Sequence, residues 1–156
     1  MNLSTREDIE APVDYVFTAL SDFGDFERAA LRRGAEVTRT DDLGAIGPGA
    51  AWRAQFEMRG KPRRLDVTLA EYDHPRRMRF DGESKNVEGE LVYELHELSP
   101  RRTRVIVKVE MRPLSLPARI ALQSLRLAKT RTNAKFGRRV RGFVHEIEGR
   151  YRSGAA

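Results

Sequence analysis

The strongest constraint on the fold is an alternation of apolar and polar residues that recurs between positions 51 and 111. Stretches of this kind are centred near Ala54, Val67, Tyr93 and Val107. Alternation with a period of two predicts β-strands that bury one face. Glycine, proline and serine separate the stretches at short intervals. The strands are therefore predicted to follow one another as an antiparallel meander.

Shorter elements precede this region. The alternating segment from Leu3 to Ile9 predicts a first strand, and a further strand is centred on Val37. Between them, two short helices are predicted. Pro12 opens the first of these helices, because a proline is tolerated in the first helical turn. The second is predicted to span Phe23 to Arg33.

One long helix is predicted at the C-terminal end. From Ser115, a plausible N-cap, to about Tyr151, apolar residues recur in steps of three and four over roughly 35 residues. Gly137 and Gly142 lie near this stripe and could permit a bend or a close approach to the sheet. The stripe comprises Ala118, Leu122, Leu125, Phe136, Val140, Phe143, Ile147 and Tyr151.

The order of these elements predicts an α+β fold. A twisted sheet must cover its apolar face, and the final helix is the only long element available to do so. We therefore expect an antiparallel sheet of about seven strands curled around the C-terminal helix. The length of 156 residues suits one domain, and no linker interrupts it, so residues 1–156 are expected to form a single ligand-binding domain.

A resemblance to a known family supports this fold. The segment from Ile9 to Phe17, followed by Leu20, Ser21, Asp22 and Phe23, resembles the start of START-like (SRPBCC) proteins, the group that includes polyketide cyclase/dehydrase and lipid transport proteins. The resemblance implies a helix-grip fold with a deep, mostly apolar cavity between sheet and helix. Members of the group bind lipids, sterols, polyketides, plant hormones or quinones, and some are cyclases or aromatases.

Candidate ligand-binding residues follow from the side of each element that carries apolar residues. Wide rings and methionines suit an adaptable apolar surface, although most inward residues of any sheet simply pack as core. The predicted cavity lining comprises Trp52, Phe56, Met58, Met78, Phe80, Leu91, Tyr93, Val107, Val109, Phe136 and Val140.

Three polar residues are predicted to be ligand contacts rather than a catalytic set. Tyr93 is the best inward-facing hydroxyl, unless it is a core tyrosine with a buried hydrogen bond. Lys129 and Asn133 interrupt the helical stripe and could meet a carbonyl, carboxylate or phenolate of a ligand. The simpler alternative is that this part of the helix faces solvent and that Lys129 keeps its ammonium group in water.

Several chemistries are excluded or lack a motif. The chain has no cysteine, which excludes disulfides and thiol nucleophiles. The three histidines lie far apart, and no phosphate-binding loop is present, so no metal and no cofactor are predicted. The leading functional hypothesis is binding of a hydrophobic small molecule such as a lipid, quinone or polyketide. The alternatives are a polyketide cyclase, aromatase or dehydratase, whose catalytic residues would be unknown, and a membrane-associated lipid or quinone carrier.

Charge is unevenly distributed along the chain. The formal net charge is +6, but residues 1–113 hold 19 Lys and Arg against 21 Asp and Glu, whereas residues 114–156 hold 10 against 2. The basic residues are not grouped with exposed aromatic side chains, which argues against nucleic acid as a partner. No apolar segment typical of a signal peptide or of a membrane span occurs, so a soluble cytoplasmic protein is expected.

A second apolar row on the long helix suggests a further contact. Leu116, Ile120 and Leu127 lie on a different side of the helix from the buried stripe, with arginines beside them. We expect either a homodimer contact or weak, salt-sensitive binding to anionic lipid through this basic helix. In the simpler alternative, Pro113 and Leu114 or the helix at Phe23–Arg33 cover the row.

Overall fold

A seven-stranded antiparallel sheet with the order β1-β7-β6-β5-β4-β3-β2 forms the framework of the computed structural model, which describes residues 1–154. The predicted α+β arrangement is confirmed, with two short helices after the first strand. The elements are β1 (Asn2–Ile9), α1 (Val13–Leu20), α2 (Phe23–Arg32), β2 (Glu36–Arg39), β3 (Ala51–Met58), β4 (Lys61–Asp73), β5 (Arg77–Glu83), β6 (Val87–Ser99), β7 (Arg102–Pro113), α3 (Leu116–Leu127) and α4 (Lys129–Gly154).

Local sequence signals explain where the helices begin. Asp22 caps α2, since its side chain accepts a hydrogen bond from the backbone N–H of Asp25 at 3.1 Å. Ser115 caps α3 in the same way, by accepting from the N–H of Ala118 at 3.3 Å, and Pro117 occupies the first turn. The helix start predicted at Ser115 is therefore confirmed.

The prediction of a single long helix from Ser115 to Tyr151 is wrong in one respect. The chain forms two helices, because Ala128 leaves the helical region with φ −101° and ψ 28°. Helix α3 lies against β7, whereas α4 lies along β1, so the two helices pack on different strands. At Gly137 an added Cβ would lie 3.4 Å from the Thr5 hydroxyl oxygen, which explains how α4 approaches β1 so closely.

The main core lies where α1 and the C-terminal half of α4 meet the sheet. Phe17 of α1, Leu69 of β4 and Ile147 of α4 are almost completely buried there. Thr103 is the buried polar residue of this region, and its hydroxyl donates a hydrogen bond of 2.8 Å to the Ala11 carbonyl. This bond fixes the turn between β1 and α1 against the sheet, so the apolar face of α1 is held over the core.

Candidate functional site

An apolar cavity that is partly open to solvent lies between helix α2 and the sheet. Its volume is about 520 Å³, which falls in the range of small-molecule sites in proteins. Helix α2 forms one side and strands β2 to β7 form the other. The apolar walls are formed by Phe23, Phe26, Ala30, Val37, Trp52, Ala54, Leu65, Val67, Phe80, Val87, Leu91, Tyr93, Val109 and Met111.

Four aromatic rings form a continuous wall of this cavity. The centroid of Phe23 lies 5.2 Å from that of Trp52 and 5.8 Å from that of Phe80, and Phe80 lies 6.3 Å from Tyr93. The Phe23–Phe80 and Phe80–Tyr93 pairs are close to perpendicular, at 82° and 89°. Edge-to-face pairs of this kind are favourable, so the rings support one another while their remaining surfaces face the cavity.

Trp52 is held in place from two sides. Its Nε1–H donates a hydrogen bond of 2.9 Å to Oε1 of Glu27, which links β3 to α2. The Arg39 guanidinium carbon lies 5.3 Å from the Trp52 ring centroid, a cation–π distance. Asp41 binds Arg39 and also accepts from the N–H groups of Leu43 and Ala51. The bond from Arg39 and these backbone donors hold the pKa of Asp41 well below its usual value.

Tyr93 contributes a phenol to the lining of the cavity. Its side chain is half-buried by solvent accessibility, yet burial raises the pKa of its phenol to about 12. The apolar residues around the phenol remove water from it, which disfavours its charged form. Its hydroxyl has no hydrogen-bond partner within residues 1–154. At physiological pH it is therefore a protonated phenol that can donate to a ligand.

The raised pKa predicts a pH dependence of stability. Below about pH 10 the Tyr93 phenol is protonated in both the folded and the unfolded protein. Between about pH 10 and pH 12 the unfolded chain loses this proton while the folded protein keeps it, which favours unfolding. Stability conferred by this group is thus complete below pH 10 and decreases as the pH rises towards 12. Urea unfolding at about pH 9 and about pH 11 should show a loss on the order of 1 kcal/mol beyond that of Tyr93→Phe. Equal losses in both proteins would contradict the buried placement.

A second cavity of about 350 Å³ lies between the sheet and α4. Phe26, Leu91, Tyr93 and Val109 line both cavities, so the two spaces adjoin at the Tyr93 side chain. The Phe26 ring also meets Phe143 of α4, with centroids 5.6 Å apart, and this contact joins α2 to α4. The two cavities therefore share part of their apolar lining, and Tyr93 belongs to both.

The predicted lining residues divide into several groups. Trp52 and Phe80 line the first cavity, Val107, Phe136 and Val140 line the second, and Leu91, Tyr93 and Val109 line both. Their contact with a ligand stays a prediction.

Three sheet residues predicted to line the cavity do not do so. Met58 is 54% exposed and Phe56 is half-buried, because both lie where the β3–β4 hairpin extends past the cavity towards its turn at Gly60. Met78 is fully buried beneath α1, where Ser21 Oγ lies 3.8 Å from its Sδ. The alternating pattern identified the apolar face but not how far the cavity extends along it.

Two polar residues on α4 also lie outside both cavities. Lys129 is exposed at the first residue of α4, as the simpler alternative held. Asn133 uses its Oδ1 to accept a hydrogen bond of 3.3 Å from the backbone N–H of Ser4, so it ties α4 to β1. Of the three predicted polar contacts, only Tyr93 faces a cavity.

The sequence analysis missed the contribution of α2. Phe23, Phe26 and Ala30 recur in steps of three and four, a pattern that marks one helix face, and all three line the first cavity. It also missed carboxylates beside the same cavity, at Glu27, Glu88, Glu90 and Glu110. Arg112 binds two of them, Glu88 at 3.1 Å and Glu110 at 3.0 Å.

Two features of the described chain concern alternatives raised by the sequence. Within residues 1–154, no three histidine, aspartate or glutamate side chains come together as a set that could hold a metal ion. None of the helices in that range has the length and apolarity that crossing a membrane requires.

Comparison with known proteins identifies the family. A family model described as polyketide cyclase/dehydrase and lipid transport matches residues 1–148. The chain belongs to this family. The resemblance noted in the sequence is thereby confirmed. The family suggests either binding of a hydrophobic small molecule or a polyketide cyclase-type activity. No curated protein sequence matches this family member.

Solved structures confirm the helix-grip fold. The Zhui aromatase/cyclase from Streptomyces sp. R1128 matches with a TM-score of 0.69 and 14% identity, over 99% of this chain and 97% of that one. TTHA0849 from Thermus thermophilus matches with a TM-score of 0.66 and 17% identity, over 100% of each chain. Ara h 8.0201 matches with a TM-score of 0.61 and 15% identity, over 98% of each chain.

Proposed function

We propose that this family member binds one apolar, ring-containing small molecule in the cavity between α2 and the sheet. The observation that carries the proposal is the space of about 520 Å³ with an aromatic wall and a tyrosine hydroxyl that has no partner within residues 1–154. An empty apolar space of this size removes packing contacts from its lining, and a ligand restores them. A purely structural core would close such a space.

The cavity chemistry favours a multi-ring molecule that carries a carbonyl group, such as a quinone or a polyketide-like compound. Flat rings can pack against Trp52, Phe80 and Phe23, and the Tyr93 phenol can donate to a carbonyl oxygen. Glu90 lies beside the first cavity without a salt bridge within residues 1–154, and its carboxylate would repel a free acid group there. A fatty acid is therefore a poorer fit at this site.

A polyketide cyclase-type enzyme is the second candidate. It is favoured by the family description and by the match to an aromatase/cyclase, which concerns the fold. Such chemistry needs an acid and a base that reach one substrate site. Tyr93, with its raised pKa, suits hydrogen bonding to a carbonyl better than proton release, and Arg112 already binds Glu88 and Glu110. Binding is therefore the better-supported function.

Fluorescence of Trp52 tests the proposal directly, because the chain has one tryptophan and it lines the cavity. Titration with anthraquinone, a naphthol and palmitate should give a saturable change for the ring compounds, with N-acetyltryptophanamide as the control for non-specific quenching. Native mass spectrometry of the same mixtures should show one bound ring compound per chain. Absence of both signals across the panel would overturn the proposal.

Tyr93→Phe separates carbonyl recognition from apolar packing. Loss of one hydrogen bond should weaken a carbonyl ligand such as anthraquinone by roughly tenfold, because such a bond contributes about 1 kcal/mol or slightly more. Anthracene, which has the same ring system without the carbonyls, should bind both proteins equally. The two ligands are compared by the Trp52 titration. Equal weakening of both would show that Tyr93 acts only by filling space.

A further inference from the structure

Helix α3 presents an uncovered apolar row to solvent. Leu116, Ile120 and Leu127 are 69%, 57% and 91% exposed. At about 100° per residue these three side chains fall within one narrow sector of the helix. The opposite sector buries Ala118 and Leu122. The alternative in which α2 or Leu114 covers the row is wrong, since the row is exposed and Leu114 itself is 48% exposed.

Basic residues without a salt bridge in the described part of the chain lie on the helix that carries this row, at Arg119 and Arg126, and along the first half of α4. Residues 111–145 contain no aspartate or glutamate. Within residues 1–154, no carboxylate lies within salt-bridge distance of the seven cations from Arg119 to Arg139, whereas sheet arginines such as Arg77, Arg79 and Arg104 are each ion-paired. The seven cations are Arg119, Arg126, Lys129, Arg131, Lys135, Arg138 and Arg139. Helix α3 and the first half of α4 are therefore basic, and α3 also exposes an apolar row, although Arg139 lines the second cavity as well.

We propose that α3 docks on the surface of an anionic lipid membrane, with Leu116, Ile120 and Leu127 entering the interface and the neighbouring cations contacting the lipid headgroups. A helix with an exposed apolar row beside basic residues suits that environment. A second copy of the chain fits less well, because pairing this face with itself would bring two unpaired cationic clusters together. A nucleic acid would use the cations but leave the three apolar side chains without an apolar partner.

The inner side of α3 places this surface next to the cavity. Leu122 packs with Met1 and Leu3, and Val109 and Met111 pack against the same cluster. Val109 and Met111 also line the first cavity. Docking through the outer side of α3 therefore brings one wall of that cavity close to the lipid. The docking itself does not depend on which molecule the cavity holds.

Vesicle flotation tests the proposal with the full chain. The protein should bind vesicles of phosphatidylcholine mixed with phosphatidylglycerol, bind phosphatidylcholine alone at least about tenfold more weakly, and dissociate at high salt. Replacing Leu116, Ile120 and Leu127 together with serine should reduce binding by about tenfold or more without lowering the melting temperature. Arg119→Gln with Arg126→Gln should reduce the preference for the anionic vesicles, because two of the cations beside the row are removed.

A matched control uses three other exposed leucines. Leu31, Leu43 and Leu98 are 64%, 45% and 44% exposed and lie away from α3, so replacing them together with serine should leave vesicle binding unchanged. The proposal is overturned if both triple variants bind equally, or if the α3 variant melts far below the original protein. It is also overturned if sedimentation shows a dimer that only the α3 variant loses.

Discussion

Alanine at Gly89 is expected to destabilise the protein by about 4 kcal/mol or more, because the added methyl group meets backbone atoms that cannot make room for it. Gly89 lies on β6 opposite Met111 of β7, and an added Cβ would overlap the backbone oxygen of Glu110. Backbone atoms in a paired strand cannot move aside as a flexible side chain can. To avoid this overlap, β6 would have to move away from β7. Urea unfolding followed by circular dichroism measures the loss.

Gly82 provides a matched control in the neighbouring strand. It pairs with Gly89 across β5 and β6, but its added Cβ would lie 3.5 Å from a methyl carbon of Leu65, an ordinary contact. Gly82→Ala should therefore change stability by only a few tenths of a kcal/mol, or raise it slightly by restricting the unfolded chain. Similar losses in both variants would show that general glycine flexibility, and not the Glu110 contact, determines the result.

The strands could be predicted from the sequence because each carries a period of two over many residues. The stretch at Trp52 and the one at Val107 both became strands with the expected faces. Helix starts could be predicted wherever a cap and a first-turn proline occur together, as at Ser115 and Pro117. These signals are local, so they do not depend on what the rest of the chain does.

The division of the last helix could not be predicted. Ala128 is a strong helix former, and no glycine or proline lies beside it, so no local signal marks the break. Its cause is tertiary, since α3 and α4 rest on different strands. The same break explains Lys129, whose place in an unbroken helical stripe would have been beside buried residues but which begins α4 in solvent.

The sequence predicted which face of the sheet lines the cavity, but not how far the cavity extends along that face. Alternation assigned Phe80, Met58 and Met78 to apolar faces. In the structure Phe80 lines the cavity, Met58 is exposed near a hairpin end and Met78 is packed beneath α1. Depth along a strand depends on which helix covers it, and this information is not local. Phe26 of α2 was missed for the same reason, because a short amphipathic helix carries no sign of what lies beneath it.

Filling the cavity is expected to abolish ligand binding while leaving the fold intact. Ala54 of β3 lines the cavity between Val37 and Leu65, its partners on the two neighbouring strands. Ala54→Phe adds a ring to space that is otherwise empty, so it should not lower the melting temperature and could raise it by burying apolar surface. The added ring occupies the volume that an anthraquinone would need. We expect at least about a hundredfold loss of affinity in the Trp52 titration.

Gln55→Phe is the control, since Gln55 is the next residue of the same strand, points to the opposite face and is exposed. It adds the same ring to the same strand without entering the cavity, so binding should be unchanged. Val109→Phe fills the space from β7 and replaces the test if Ala54→Phe fails to fold. Undiminished binding in a folded, cavity-filled variant would place the ligand elsewhere. Equal loss in the Gln55 variant would instead show that distortion of β3, and not occupied volume, prevents binding.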